Sequence, residues 1–275
     1  MLDPRIAEAL VSAVRRAAKS EILPRFRAMG AEDIRAKSGP DDLVTAADLA
    51  AEAIITEAVS DILPEARFLG EEASVGNPAL LDEPGAPGWC VILDPVDGTW
   101  NFASGLSTFG VMLAVSFNGE TQFGLLYDPV NDDWMTAHKG EGAWHNRRGG
   151  APQRLQTRAP ERLPDMVGYV PLPMMPQQRQ SKIAASFPSF RRILSLRCAC
   201  HEYRTIAAGH AGFALSGTLW PWDHAAGVLL VQEAGGHVAM LDGRSYGPGV
   251  RDGTLLAAAS REHWDAVHAH FTPLL

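Results

Sequence analysis

The feature that most constrains this chain is Trp89–Phe102, WCVILDPVDGTWNF. A fully apolar run of this length reads as a strand covered on both faces, hence a central strand of a layered sheet. It ends in two aspartates three residues apart. A carboxylate at the mouth of a buried strand is costly unless something neutralises it. Pro95 cannot donate to a ladder, so the strand is expected to end near Asp94. Gly98 permits a tight turn, and Thr99 suits a cap for a short helix beginning there. Such a turn can bring carboxylates i and i+3 together and expose the Val96 carbonyl. The N–H groups of Gly98 and Thr99 then sit at a helix start, where anions bind. A hard-cation site beside a phosphate site accounts for each residue type; a capped turn with surface aspartates also does.

Three other acidic places stand at element ends. Gly70-Glu71-Glu72 follows the short strand pattern ARFLG, although paired glutamates also suit a solvated face. Asp223, in Trp220–Gly227 (WPWDHAAG), lies where a strand gives way to a helix, and an N-cap is the simpler role there. Asp48, in Asp41–Asp48 (DDLVTAAD) after Lys37, falls inside a helix and could equally be solvated. Carboxylate and carbonyl oxygens without His or Cys partners favour Mg²⁺ or Mn²⁺ over zinc.

The remaining patterns place these motifs. Helical spacing runs over residues 3–28 and from Thr45 to Leu63, where Pro64 stops it. Gly39-Pro40 marks a turn. GVMLAVSF, Asn118-Gly119, TQFGLLYD and DDWMTAHKG read as a meander with a hairpin turn. Residues 151–190 are expected to be loops with one helix around Arg179–Phe187. CHEYRTIAAGHAGFAL reads as helix then strand, and DHAAGVLLVQEAGG as a helix stopped by Gly235-Gly236. HVAMLDG and TLLAAAS read as strands, and REHWDAVHAHF as a final helix. Helices, then a meander, then mixed elements indicate α+β layering rather than regular βαβ alternation.

Composition sets the limits. The 275 residues, 46% hydrophobic and 20% charged, suffice for a sizeable core. The formal charge of −8 argues against broad binding of nucleic acid or anionic membranes, yet permits an anionic substrate if cations mediate the contact. The N-terminal segment mixes charge into its apolar pattern, so a secretory signal is not expected. No run reaches the roughly 18 apolar residues of a membrane span. Cys90, Cys198 and Cys200 make no disulfide framework, which suits a reduced, cytoplasmic setting. Cys198-x-Cys200-His201 lacks a second Cys pair, and Thr205 stands where a zincin motif would need its second histidine.

The four motifs, taken together, resemble the inositol monophosphatase family. DPVDGTWNF is similar to its D-P-[IVL]-D-G-T-x-N-F signature and WDHAAG to its W-D-x-A-A-G signature, with GEE and DLVTAAD as further landmarks in the right order. The resemblance spans roughly residues 35–240. It implies an α/β/α/β/α sandwich, a homodimer, and Mg²⁺-dependent, lithium-sensitive hydrolysis of a small phosphomonoester. It implies one catalytic unit over 1–275: residues 1–150 carry most metal ligands and 151–275 carry Asp223. Glu71, Asp94, the Val96 carbonyl, Asp97 and Asp223 would hold metal. Asp48 and Thr99, with Glu71, would activate water. Asp97, Gly98, Thr99 and Asp223 would hold the substrate phosphate or fix the substrate. Arg204 could reach a substrate anion or pair with a surface acid.

The chain departs from the family on the leaving-group side. Trp100 replaces a small polar residue. Ser216, seven residues before Asp223, stands where inositol-hydrolysing relatives carry an acid. Leu196–Arg204 (LRCACHEYR) replaces a run of small residues. Inositol monophosphate, fructose 1,6-bisphosphate, histidinol phosphate and 3′-phosphoadenosine 5′-phosphate are therefore all candidate substrates. A non-catalytic RNA- or protein-binding role on the same fold is the competing class; nucleic acid is not expected as a primary substrate.

Overall fold

The computed structural model describes residues 2–39 and 42–275. The elements in chain order are α1 (Pro4–Ala17), β1 (Ile34–Gly39), β2 (Asp42–Thr45), α2 (Ala46–Ile62), β3 (Arg67–Gly70), α3 (Glu71–Gly76), β4 (Trp89–Asp97) and α4 (Thr99–Ala103). They continue with β5 (Gly110–Phe117), β6 (Glu120–Asp128), β7 (Asp133–His138), β8 (Gly142–Arg147), β9 (Gln153–Arg154), β10 (Val167–Tyr169), α5 (Gln180–Ser186) and β11 (Arg192–Leu194). The last are α6 (Ala199–Ala207), β12 (Phe213–Ser216), α7 (Pro221–Glu233), β13 (His237–Met240), β14 (Leu255–Ala258) and α8 (Arg261–Phe271).

Strands β3 to β9 form a seven-stranded sheet in sequential order; a five-stranded sheet runs β11-β10-β12-β14-β13. Strand β5 explains the stacking. Val111, Leu113 and Val115 pack on α1 and α2 through Leu10, Val14, Ala51 and Ile55. Met112 and Ala114, on the opposite face, join a second core with Tyr203, Ala226 and Leu230 from α6 and α7. That core continues into Ala214, Leu255 and Ala257 of the smaller sheet. The far face of that sheet buries Phe213, Leu215 and Leu256 against Trp264, Val267 and Phe271 of α8. The result is a five-layer α/β/α/β/α sandwich. Both faces of both sheets are covered, which is why the strands read as continuous apolar runs.

Most element expectations hold. Asn118 (φ 52°) and Gly119 (φ 77°) turn the hairpin with positive φ at both positions, as a type I′ turn requires. Four expectations change. Residues 151–190, expected to be loops with one helix, also carry strands β9 and β10. The first helical stretch does not run to residue 28: α1 gives way to a π-helical turn, Ala18–Ile22, followed by irregular turns. Glu71 and Glu72 open a helix rather than finish a strand. Strand β4 does not stop at Asp94. It pairs Asp94 with Met112 and next Asp97 with Gly110, so β4 holds one extra residue there. Pro95, with no N–H to give, sits in this bulge. Pro40 and Asp41, on which part of the predicted turn falls, lie outside the described residues. Among the described residues, no helix is long and apolar enough to cross a membrane.

Candidate active site

The bulge in β4 decides the local chemistry. In an unbroken strand, residues i and i+3 point to opposite faces. One inserted residue reverses that parity, so Asp94 and Asp97 turn to the same side. Helix α7 brings the third acid. Ala225, Ala226 and Gly227 are small enough for close approach: a Cβ on Gly227 would lie 2.2 Å from the Tyr203 ring, and one on Gly124 of β6 only 2.8 Å from the Ala226 carbonyl. Asp223, in the first turn of α7, is thereby pressed toward the end of β4. One oxygen from each of Asp94, Asp97 and Asp223 lies within 4.8 Å of the others.

These acids border a cavity of about 460 Å³ also lined by Glu71, Gly98, Thr99, Trp100, Cys198, Ser216 and His224. Burial, followed by the charges of Glu71, Asp97 and Asp223, pushes the Asp94 carboxyl well above its ordinary range. Burial and the neighbouring acids push Asp223 the same way. Asp97 is also raised by burial, although the Cys198 thiol (3.0 Å) and the Cys200 N–H both donate to its Oδ2. The Asp94 Oδ1 accepts from the Val96 N–H at 3.0 Å. Three crowded carboxylates whose charge is disfavoured, offering hard oxygen donors, suit a divalent Mg²⁺-like cation.

Glu71 borders the same cavity from the start of α3 but carries its own counter-charge. Its Oε1 accepts from Lys37 Nζ at 2.8 Å, and Glu72 Oε1 accepts from the same ammonium at 2.6 Å. Burial works against the Lys37 charge, yet the two glutamates outweigh it and hold its pKa above the ordinary value. Lys37 stood out in the sequence only as a neighbour of the DLVTAAD motif, and its partners lie more than thirty residues away.

The Asp48–Thr99 pair is formed. Asp48 occupies the third position of α2, where its Oδ2 accepts from the Thr45 N–H and hydroxyl in a capping box. Its Oδ1 accepts from the Thr99 hydroxyl at 3.2 Å. That hydroxyl lies 2.9 Å from the Val96 carbonyl as well, so the proton is shared between two acceptors. Asp48 is completely buried, and burial pushes its carboxyl up to about 7 against the opposing pull of Thr45. The capping residue of α4 is Gly98 (φ 85°), not Thr99, which is the first helical residue.

The leaving-group side is distinct. The Arg197 guanidinium lies 3.9 Å above the Trp100 ring, and both border the cavity with Leu43, Pro173 and Met174. Ser216 borders it from the end of β12. Cys198 gives its thiol and Cys200 only its backbone N–H to Asp97, while the Cys200 thiol faces the Tyr127 carbonyl at 3.9 Å. Arg204 is a correction: it does not line the cavity. It lies on the face of α6 turned toward β6 and β7, where it donates to the Leu126 carbonyl (2.9 Å) and pairs with Asp133. Its guanidinium is held by protein partners, and the paired-acid alternative is the one observed.

A layered sandwich with an acid-walled cavity where β4, α6 and α7 meet defines the fold class of the sugar-phosphatase type. A profile of the inositol monophosphatase family matches residues 3–273. The chain is 30% identical over 216 residues to an inositol-1-monophosphatase of Bacillus subtilis (strain 168), covering 78% of each. It is 33% identical over 233 residues to the Nus factor SuhB of Haemophilus influenzae, 82% of this chain and 81% of that one. An IMPase structure from Thermotoga maritima superposes with a TM-score of 0.79 at 25% identity, covering 96% of this chain and 95% of the other. The chain belongs to the inositol monophosphatase family, whose members are phosphatases that hydrolyse phosphomonoesters.

Proposed function

We propose that this chain hydrolyses a small phosphomonoester in a Mg²⁺-dependent reaction, inositol 1-phosphate being the first candidate substrate. The observation that carries the reading is the meeting, in one cavity, of the Asp94–Asp97–Asp223 trio with Thr99, whose hydroxyl is hydrogen-bonded to the buried Asp48 behind it. Asp94, Asp97, Asp223, Glu71 and the Val96 carbonyl would hold the cations. Bound there, Mg²⁺ or Mn²⁺ would supply Lewis-acid stabilisation of the phosphoryl group and of the attacking water. The chain's own residues provide position and proton control, which phosphoryl transfer chiefly needs. Thr99 and Asp48 orient the water and take its proton as a hydrogen-bonded relay. Gly98 and Thr99 face the phosphate, and Asp223 and Ser216 the leaving alcohol. No covalent phosphoenzyme is needed.

The whole chain is assigned one catalytic unit, residues 1–150 supplying most acids and 151–275 supplying Asp223. Lithium inhibition, a homodimeric state and a cytoplasmic setting follow from the same assignment. A Thermotoga maritima relative, 30% identical, is named for both fructose-1,6-bisphosphatase and inositol-1-monophosphatase, and Ser216 in place of an acid keeps fructose 1,6-bisphosphate, histidinol phosphate and 3′-phosphoadenosine 5′-phosphate in the panel. Phosphate release from these four esters, with Mg²⁺, with EDTA and with lithium, tests the reading. Turnover of at least one ester that EDTA abolishes is expected. Turnover of none would leave the binding role suggested by the SuhB relatives.

A further inference from the structure

Glu52 lies one helical turn after Asp48 on α2, is 7% exposed, and takes no part in the chemistry proposed above. Its carboxylate reaches across to α3. Oε2 accepts from the Glu72 N–H at 2.9 Å and Oε1 from the Ala73 N–H at 2.8 Å. These are the second and third residues of α3, whose N–H groups a helix of its own cannot satisfy. The residue that would normally provide the cap is Gly70, which has no side chain to offer. A Cβ there would sit 2.4 Å from the Glu52 carboxyl. The capping oxygens of α3 therefore come from α2, and Gly70 is glycine because the borrowed carboxylate fills the space of its side chain.

We infer that Glu52 is a positioning residue for Glu71, setting the start of α3 so that Glu71 faces the acid trio. The inference rests on the reading of Glu71 as a cation ligand. Helix α2 then serves two arms of the site: Asp48 anchors Thr99, and four residues on Glu52 anchors the glutamate that opens α3. A carboxylate held by two parallel N–H groups has little freedom to rotate. Glu52→Gln keeps the shape but places an NH₂ against an N–H, so one of the two bonds is lost and a donor faces a donor.

The test is calorimetric titration of Mn²⁺ into the metal-free protein, alongside melting temperature. Glu52→Gln is expected to weaken Mn²⁺ binding about tenfold. Gly70→Ala, which displaces the same carboxylate, should weaken it comparably, and the double variant should be no worse than the poorer single one. Val267→Ala, in the outer layer, serves as a variant of lowered stability with unchanged Mn²⁺ affinity. Glu52→Asp, one methylene shorter, should fall between wild type and Glu52→Gln, and keeps the test open if Glu52→Gln does not fold. Lowered melting with wild-type Mn²⁺ affinity in the folded Glu52 variants would overturn the inference, leaving a purely structural cap. If Glu71→Gln binds Mn²⁺ like wild type, or wild type does not bind it, the ligand reading of Glu71 fails first and the inference with it.

Discussion

Asp94→Asn isolates the electrostatics of the acid trio. The substitution keeps shape and the side-chain oxygen that accepts from the Val96 N–H. It removes one of three mutually repelling charges, hence two of three repulsive pairs. At the 4.8 Å limit separating these oxygens, a pair of like charges costs about 3.5 kcal/mol at an effective dielectric of about 20. Part of this is relieved in the metal-free protein, because the raised carboxyls take up protons. A net gain of about 1–3 kcal/mol remains for the variant without metal. For a chain of this size that corresponds to a melting temperature higher by about 2–5 °C. Wild type, by contrast, should gain about 2.7 kcal/mol from Mg²⁺ at a hundred times its dissociation constant. The variant should lose most of that gain, together with phosphatase activity. Differential scanning calorimetry with EDTA and with Mg²⁺ reads both effects. A metal-free variant that melts below wild type and still responds fully to Mg²⁺ would refute the assignment of Asp94 and the reasoning from crowded charge.

Three further outcomes follow from particular contacts. Thr99→Ala should lower kcat by about 10²–10⁴, the usual worth of positioned proton transfer, and Thr99→Ser should recover much of it because the hydroxyl returns to Asp48; steady-state kinetics decide, and an unchanged kcat in Thr99→Ala would remove the pair from the mechanism. Arg204→Met should destabilise the fold by about 2–4 kcal/mol in urea, since it strands Asp133, and leave KM unchanged; a large KM increase would reinstate Arg204 as a substrate contact. Asp132 is held below the ordinary carboxylate range by hydrogen bonds from Arg15, then by Lys19 and Tyr127, against a smaller burial effect. Its folded pKa is depressed, so the stabilisation is present above the unfolded value of about 3.9 and is lost as pH falls toward the folded one. The stability difference between wild type and Asp132→Asn should therefore be constant above about pH 5 and shrink between about pH 4 and 2; a difference that grows on acidification would contradict the sign.

The layered fold was legible because its cause is periodic. Strand β5 is apolar at every position from Val111 to Val115, and a strand buried on both faces requires helices on both sides. The hairpin at Asn118-Gly119 was legible because few residue pairs tolerate positive φ twice. Extents were less legible: whether β4 stops at Asp94 or bulges past Pro95 depends on what β5 offers opposite it. The candidate site was read as a set of residue types, and Asp94, Asp97, Asp223, Glu71 and Thr99 do share one cavity. Arg204 was open, because a long cation on a helix can face cavity or sheet, and only the packing of α6 chooses. Glu52 went unread although it repeats at helical spacing after Asp48; its partners are backbone N–H groups twenty residues away, which carry no residue identity.

By itself, the sequence determined the chemistry available: hard oxygen donors at element ends, a hydroxyl beside them, and no second cysteine pair to compete. Identity and periodicity are local properties, so they survive without coordinates. Tertiary structure decided the neighbours. One extra residue in β4 reverses strand parity and faces Asp94 with Asp97, the small residues of α7 let Asp223 close the trio, and α2 lends α3 the cap that its glycine cannot provide. Each depends on distances between segments far apart in the chain, which are set by packing and hydrogen bonding once the layers have closed.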